Sequence, residues 1–332
     1  MQEAELRETK TRKRDFISIF DLSTAELERI LSKAAELKRE RRGGRRIRED
    51  LAGKTLTLIF EKPSTRTRIS FEVAMRELGG SVISLSWKEM QLGRGERIKE
   101  TAKVLSSYVD AVCIRAFKHE TVEEFAIHAT IPTINALTDR EHPCQTLADL
   151  LTIIERKGRI KGLKIVWVGD ATNVCNSLIG GCALLGAEIC VACPKGYEPD
   201  AEILRKALAI CEETGGNVEL CVGGSGGSGS EGSGSELRNA VKDADVLCTD
   251  VWVSMGEESE AEKRRRDLHA YRIDGEILSL AADDAIVLHC MPVHIGEELT
   301  EDVLYGEHSA VFEQAENRLH TQKALLLKLL SE

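Results

Sequence analysis

No stretch of this 332-residue chain approaches the run of about 18–20 apolar residues that crosses a bilayer, so no membrane partner is expected. The N-terminal residues also lack the apolar core of a secretory signal; through Arg14 they mix Glu with Lys and Arg, the pattern of a charged tail or a fraying helix. A basic excess is missing as well. The formal net charge of −10 argues against nucleic acid as the main partner, because a phosphate-backbone footprint needs a basic face. Clustered arginines in an acidic chain point instead to a small anionic ligand. Paired metal-ligand motifs are absent: Cys190 and Cys193 form one CxxC spacing without a second pair. Residues three apart on a strand face opposite sides, so a chelate between those two is not expected. The ten cysteines are scattered, several within apolar strands, which suits reduced thiols packed as small core residues in a cytoplasm.

What is present is a regular alternation of apolar strands and amphipathic helices, the signature of parallel α/β layers. Strands are expected over residues 55 to 60, 81 to 85, 111 to 115 and 131 to 136 in the first half. The second half offers 163 to 168, 187 to 193, 218 to 222, 245 to 249, 285 to 289 and 309 to 313. The chain is too long for one small core and fits two α/β domains, each with a central, mostly parallel sheet flanked by helices. Their junction is placed near residue 155, which gives domains 1–154 and 155–314, with a C-terminal helix over 315–332 packing back on the first. Residues 223 to 235 are Gly and Ser with a single Glu. Such a tract buries nothing and should behave as a flexible loop spanning roughly 20 Å.

The run Ser64-Thr65-Arg66-Thr67-Arg68 sits where the first strand hands over to a helix ending at Gly79-Gly80. A first helical turn carries unpaired N–H groups and the positive end of the helix dipole, so an anion there gains donors directly. Each charge-assisted hydrogen bond from an arginine adds roughly 1.5–3 kcal/mol, against about 0.3–2 for the dipole, so arginine would dominate. An ordinary Ser N-cap followed by solvated arginines is the competing reading.

Further polar constellations fall at predicted strand ends, where open α/β sheets bind ligands. Arg115 closes the third strand, and His142-Pro143-Cys144-Gln145 opens the helix after the fourth. His142 reads equally as a helix-opening residue with a satisfied ring. Gly169-Asp170-Ala171-Thr172-Asn173 lacks the second and third glycines of a dinucleotide turn; Asn173 is either a helix cap or a reader of a substrate carboxylate. Asp250 in Asp-Val-Trp-Val-Ser254-Met255-Gly would hold an ammonium group or serve as a solvated turn residue. Cys290 in His-Cys-Met-Pro places a thiol at a strand end.

Taken together, Ser-Thr-Arg-Thr-Arg, His-Pro-Cys-Gln, Asp-Val-Trp-Val-Ser-Met-Gly, His-Cys-Met-Pro and Gln314-Ala-Glu-Asn-Arg318 occur in the order and spacing of the transcarbamoylases. From residue 15 onward, the Gly/Ser tract apart, the chain resembles the ornithine branch of that family. The resemblance implies transfer of a carbamoyl group from carbamoyl phosphate to the δ-amine of L-ornithine, in the cleft between the domains and with no metal or organic cofactor. It assigns carbamoyl phosphate to domain 1–154 and ornithine to domain 155–314. Ser64, Thr65, Arg66 and Thr67 would bind phosphate, and Arg115 would bridge phosphate and carbonyl oxygens. His142, Gln145 and Arg318 would hold the carbamoyl group. Gln91, in Gln-Leu-Gly-Arg-Gly-Glu, would reach a neighbouring subunit's site in a homotrimer or an assembly of trimers. Asn173, Asp250, Ser254 and Met255 would hold the amino-acid end of ornithine, with Cys290 and Asp250 beside the reacting amine.

Departures from the family pattern are Thr172, where a second Asn is common, Met291 in place of Leu, and Val293-His294-Ile295-Gly296 in place of Ala-His-Arg-Gly. A paralogue acting on putrescine or an acylated ornithine and a non-catalytic scaffold are the rival readings. The family resemblance implies a cytoplasmic enzyme of arginine biosynthesis and is equally compatible with a catabolic direction.

Overall fold

The computed structural model describes residues 13–223, 233–254 and 258–331. The first sheet contains β1 (Thr55–Phe60), β2 (Ser81–Ser86), β3 (Ala111–Arg115) and β4 (Thr133–Leu137), all parallel, in the order β2-β1-β3-β4. The second contains β5 (Lys164–Val168), β6 (Glu188–Pro194), β7 (Asn217–Gly223), β8 (Val246–Thr249) and β9 (Ile286–His289), also parallel, in the order β7-β6-β5-β8-β9. The inner strands β1, β3, β5, β6 and β8, and the edge strand β9, are nearly continuous apolar runs buried on both faces. That composition requires helices above and below each sheet.

Helices α1 (Thr24–Arg42), α2 (Thr65–Glu77), α3 (Ile98–Leu105), α4 (His119–His128) and α5 (Pro143–Lys157) accompany the first sheet. Around the second lie α6 (Asn173–Leu185), α7 (Ala201–Thr214), α8 (Ser233–Val241), α9 (Ala261–Leu268), α10 (Gly275–Leu278) and α11 (Glu301–Leu304). The last helix, α12 (Val311–Leu330), packs against α1, α2 and α5. Among the described residues, no helix is long and apolar enough to cross a membrane.

Sequence chemistry sets several boundaries. Ser23 and Glu26 form a capping box at the start of α1, and Pro143 occupies the first turn of α5, where its missing N–H costs nothing. Helix α5 stops at Gly158, whose φ of 74° lies in the left-handed region. The seam between the two sheets depends on Gly181 of α6. A Cβ there would lie 2.6 Å from Thr146 Cγ2, so only glycine lets α6 approach α5 this closely.

Two expectations change. Residues 309 to 313 form no strand: Ser309 makes a single bridge with Val287, and the chain then turns into α12 at Val311. Ala310 and Val311 are apolar because they are buried against the second sheet's core. The Gly/Ser tract is also shorter than its composition suggests, since Gly223 ends β7 and residues 233 to 235 open α8. Residues 224–232, and the flexible loop expected of them, lie outside the described residues. Cys190 and Cys193 do face opposite sides of β6: Cys190 packs with Val166 and Leu247, Cys193 with the cluster around Trp167.

Buried charge fixes α12 in place. Lys323 Nζ lies 3.1 Å from Glu77 Oε2, both groups are almost fully buried, and Arg41 Nε binds the other Glu77 oxygen at 3.0 Å. Removing one partner of such a set strands a charge in a low-dielectric interior, at a cost of about 3–5 kcal/mol. Glu77→Leu should therefore lower the unfolding free energy by roughly that amount, measured by denaturant titration.

Candidate active site

In each sheet the connections reverse sense once: β2 and β3 flank β1, and β6 and β8 flank β5. Loops leaving the strand ends at such a point diverge and open a crevice. The two crevices share a cavity of about 380 Å³, lined from the first sheet by Ser64, Thr65, Arg66, Thr67, Arg115 and His142. Asn173, Asp250, Ser254, Cys290 and Met291 line it from the second sheet, and Arg318 of α12 completes it.

Ser64 is indeed the N-cap of α2, accepting from Thr67 N at 3.3 Å, so capping and cavity lining coexist in one residue. Arg66 turns into the cavity, while Arg68 turns away to Glu72 at 2.9 Å. One guanidinium of the run, not two, therefore serves the cavity. Arg318 is buried and fixed from two sides: its Nη1 donates to Gln145 Oε1 at 2.7 Å and its Nη2 to Thr67 Oγ1 at 2.8 Å. Arg115 is held by the end of β3, and its buried Nε has no partner among the described residues.

The electrostatics follow from this crowding. Burial, then the neighbouring Arg318 and Arg66, pull the Arg115 guanidinium down to about 10, and burial also lowers Arg318. Both remain charged at neutral pH, so the cavity holds positive charge that an anion would relieve. Burial together with Arg318 and Arg115 pushes the His142 imidazolium far below its usual range, which leaves a neutral ring. Arg318 Nη1 approaches His142 Nε2 at 3.4 Å and can only donate, which places the ring proton on Nδ1. That buried Nδ1 has no partner among the described residues.

On the opposite wall, Asp250 Oδ1 accepts from Val251 N at 2.8 Å and from the Cys290 thiol at 3.0 Å, and Oδ2 accepts from Thr172 Oγ1 at 3.1 Å. Burial and the adjacent carboxylate raise Cys290 well above its ordinary value, so it stands as a thiol. Thr172, the departure from the family pattern, thus helps orient Asp250. Asn173 Nδ2 donates to the Thr138 carbonyl, tying the two sheets across the cleft.

Two sequence candidates among the described residues do not line the cavity, and a third is not among the described residues. Gln145 lies one bond behind it through Arg318, Gln91 is exposed away from it, and Met255 lies outside the described residues. Lys62, His294 and Asp149 were not singled out from the sequence. Lys62 and His294 line the cavity. Asp149 is fully buried and accepts from Gln145 Nε2 at 2.8 Å and Gln314 Nε2 at 2.6 Å; Gln314 Oε1 in turn accepts from His289 N at 2.9 Å. This chain of bonds joins Gln145 to His289, the last residue of β9, immediately before Cys290. Its signal in the sequence is an acid four residues after Gln145, one helical turn on and on the same face.

An α/β transferase that brings an anion and an amine together is the class that this fold and cavity define. Residues 14–155 match the family domain described as aspartate/ornithine carbamoyltransferase, carbamoyl-P binding domain, and residues 161–329 match its Asp/Orn binding domain. The chain belongs to the aspartate/ornithine carbamoyltransferase family. It is 49% identical over 318 residues to the ornithine carbamoyltransferase of Methanosarcina mazei, covering 96% of this chain and 99% of that protein. The ornithine carbamoyltransferase structure from Pyrococcus furiosus is similar with a TM-score of 0.89 and 46% identity, covering 96% of this chain and 97% of the other. That of the anabolic ornithine carbamoyltransferase from Campylobacter jejuni gives 0.85 and 41%, covering 95% and 98%.

Burial raises the Asp149 carboxyl from the ordinary aspartate value of 3.8 to about 6. A raised acid stabilises the folded state below the lower value and loses that contribution as pH climbs through the higher one. Asp149→Asn keeps an oxygen for both glutamines and removes the titration. Between pH 4 and 7 the wild type should lose on the order of 2–3 kcal/mol relative to this variant, read from unfolding curves at each pH.

Proposed function

We propose that this chain transfers the carbamoyl group of carbamoyl phosphate to the δ-amine of L-ornithine, giving L-citrulline and phosphate. The observation that carries the reading is the convergence of Arg66, Arg115 and Arg318 on one cavity that Asp250 and Cys290 border from the other sheet. Ser64, Thr65, Arg66 and Thr67, at the positive end of α2, bind the phosphate. Arg115 spans the bridging region between phosphate and carbonyl oxygen. His142 and Arg318 hold the carbonyl, and Gln145 keeps Arg318 aimed. As the neutral amine attacks, negative charge grows on the carbonyl oxygen and then leaves with phosphate, and these donors stabilise both. Asn173, Ser254 and Met255 hold the amino-acid end of ornithine. Asp250 and the Cys290 thiol orient the amine, the Asp250 carboxylate receives its proton, and holding both substrates together removes much of the bimolecular cost.

The reading extends to organisation. The part of the chain up to residue 154 binds carbamoyl phosphate, and residues 155–314 bind ornithine. Gln91, exposed in this chain, completes a neighbour's cavity in a homotrimer. The enzyme works in the cytoplasm in the arginine-forming direction.

Purified protein supplied with ornithine, putrescine and aspartate as competing acceptors should make citrulline with little product from the other two. Equal or faster turnover of putrescine would overturn the assignment. Arg115→Ala should lower kcat by about 10²–10³-fold, the usual loss when one donor to a developing oxyanion is removed. Ser254→Ala should raise KM for ornithine and leave KM for carbamoyl phosphate near its wild-type value, measured by steady-state kinetics.

A further inference from the structure

A second cluster of reactive side chains lies away from the cleft, at the edge of the second sheet. Cys190 shares no face with Cys193, but strand pairing gives it a different partner. In the β6–β7 ladder Cys190 is opposite Glu219 and Ala192 opposite Cys221, so Cys190, Glu219 and Cys221 project from the same face. Their ligand atoms all lie within 4.8 Å of one another, and the two sulfurs are 2.8 Å apart. We propose that Cys190, Glu219 and Cys221 form a binding site for a thiophilic divalent cation such as Zn²⁺ or Cd²⁺.

Both cysteines are free thiols, with their sulfurs farther apart than the roughly 2.05 Å of a disulfide bond. A tetrahedral site with metal–sulfur bonds of about 2.3 Å needs the sulfurs roughly 3.8 Å apart, a spread that small side-chain rotations supply. On binding, each thiol releases its proton to solvent, two metal–sulfur bonds and one metal–oxygen bond form, and the cation sheds water. Lys164, on the same face of β5, offsets the net negative charge that two thiolates and one carboxylate leave around a divalent ion. A groove of about 340 Å³ beside the cluster, bordered by Glu236 and Asn239 of α8, gives access and a fourth ligand position for Glu236 or water. Bound there, the ion would staple the edge strand β7 to β6 at the point where the chain enters the Gly/Ser tract.

The test is titration of the full-length protein with Cd²⁺, followed by the ultraviolet thiolate-to-metal band and by equilibrium dialysis, with Zn²⁺ in competition. The cleft offers a second trio, Asp250, His289 and Cys290, so Cys290→Ser serves as the control. About one equivalent should bind to the wild type and to Cys290→Ser. Cys221→Ser and Glu219→Gln should each weaken binding at least about tenfold, and Cys190→Ser/Cys221→Ser should abolish the band. Citrulline production by Cys221→Ser and Glu219→Gln reports that the variants are folded. Glu219 is exposed and Cys221 half-buried, so both substitutions are mild. Absence of a thiolate band, unchanged binding in Cys221→Ser, or loss of binding in Cys290→Ser alone would overturn the proposal.

Discussion

Positive charge gathered without a matching carboxylate is the constraint on which the rest of this molecule turns. Arg66, Arg115 and Arg318 border one cavity, and the last two are buried deeply enough for burial and then neighbouring guanidinium groups to lower their pKa. Keeping them together requires rigid support. Arg115 is held by a central β-strand, and Arg318 by the Gln145 amide and the Thr67 hydroxyl. Behind them, Glu77, Glu155 and Asn317 bind Lys323 and Lys38 and keep α12 seated against α1, α2 and α5. The interior ion pairs are thus arranged around the helix that delivers the third arginine. A cavity preorganised in this way is poised for charge that appears only as a bond breaks, since little reorganisation remains to be done.

The opposite wall is neutralised within itself. Asp250 accepts from Cys290, Thr172 and its neighbouring amide, so an incoming amine meets a carboxylate already positioned by three donors. Asn173 crosses to Thr138, and the Asp149 chain links Gln145 through Gln314 to His289. Positions on one sheet are therefore registered against the other through side chains as well as through packed helices.

Most of this architecture is legible in the sequence because parallel strands buried on both faces leave a plain mark. Nine of the ten expected strands occur near their anticipated positions. The exception, residues 309 to 313, has the apolar character of a strand because Ala310 and Val311 are buried, and burial alone does not distinguish a strand from the start of a helix. The polar residues at strand ends were legible for the same topological reason. What local pattern could not give is direction: Arg66 and Arg68 look alike in the sequence, yet the pitch of α2 sends one inward and the other to Glu72. Asp149 was hidden too, since a buried acid announces itself only through partners 4 and 165 residues away. Cys190 shows the same limit, its true neighbour being Cys221 across a ladder rather than Cys193 along the strand.

Placing the third arginine on α12 ties assembly of the cavity to the order of synthesis. During translation both sheets can be threaded and the loops bearing Arg66, Arg115 and Asp250 laid down while residue 318 is still inside the ribosome. A nascent chain in that condition has both its sheets but no clamp, and premature termination after β9 would leave it so permanently.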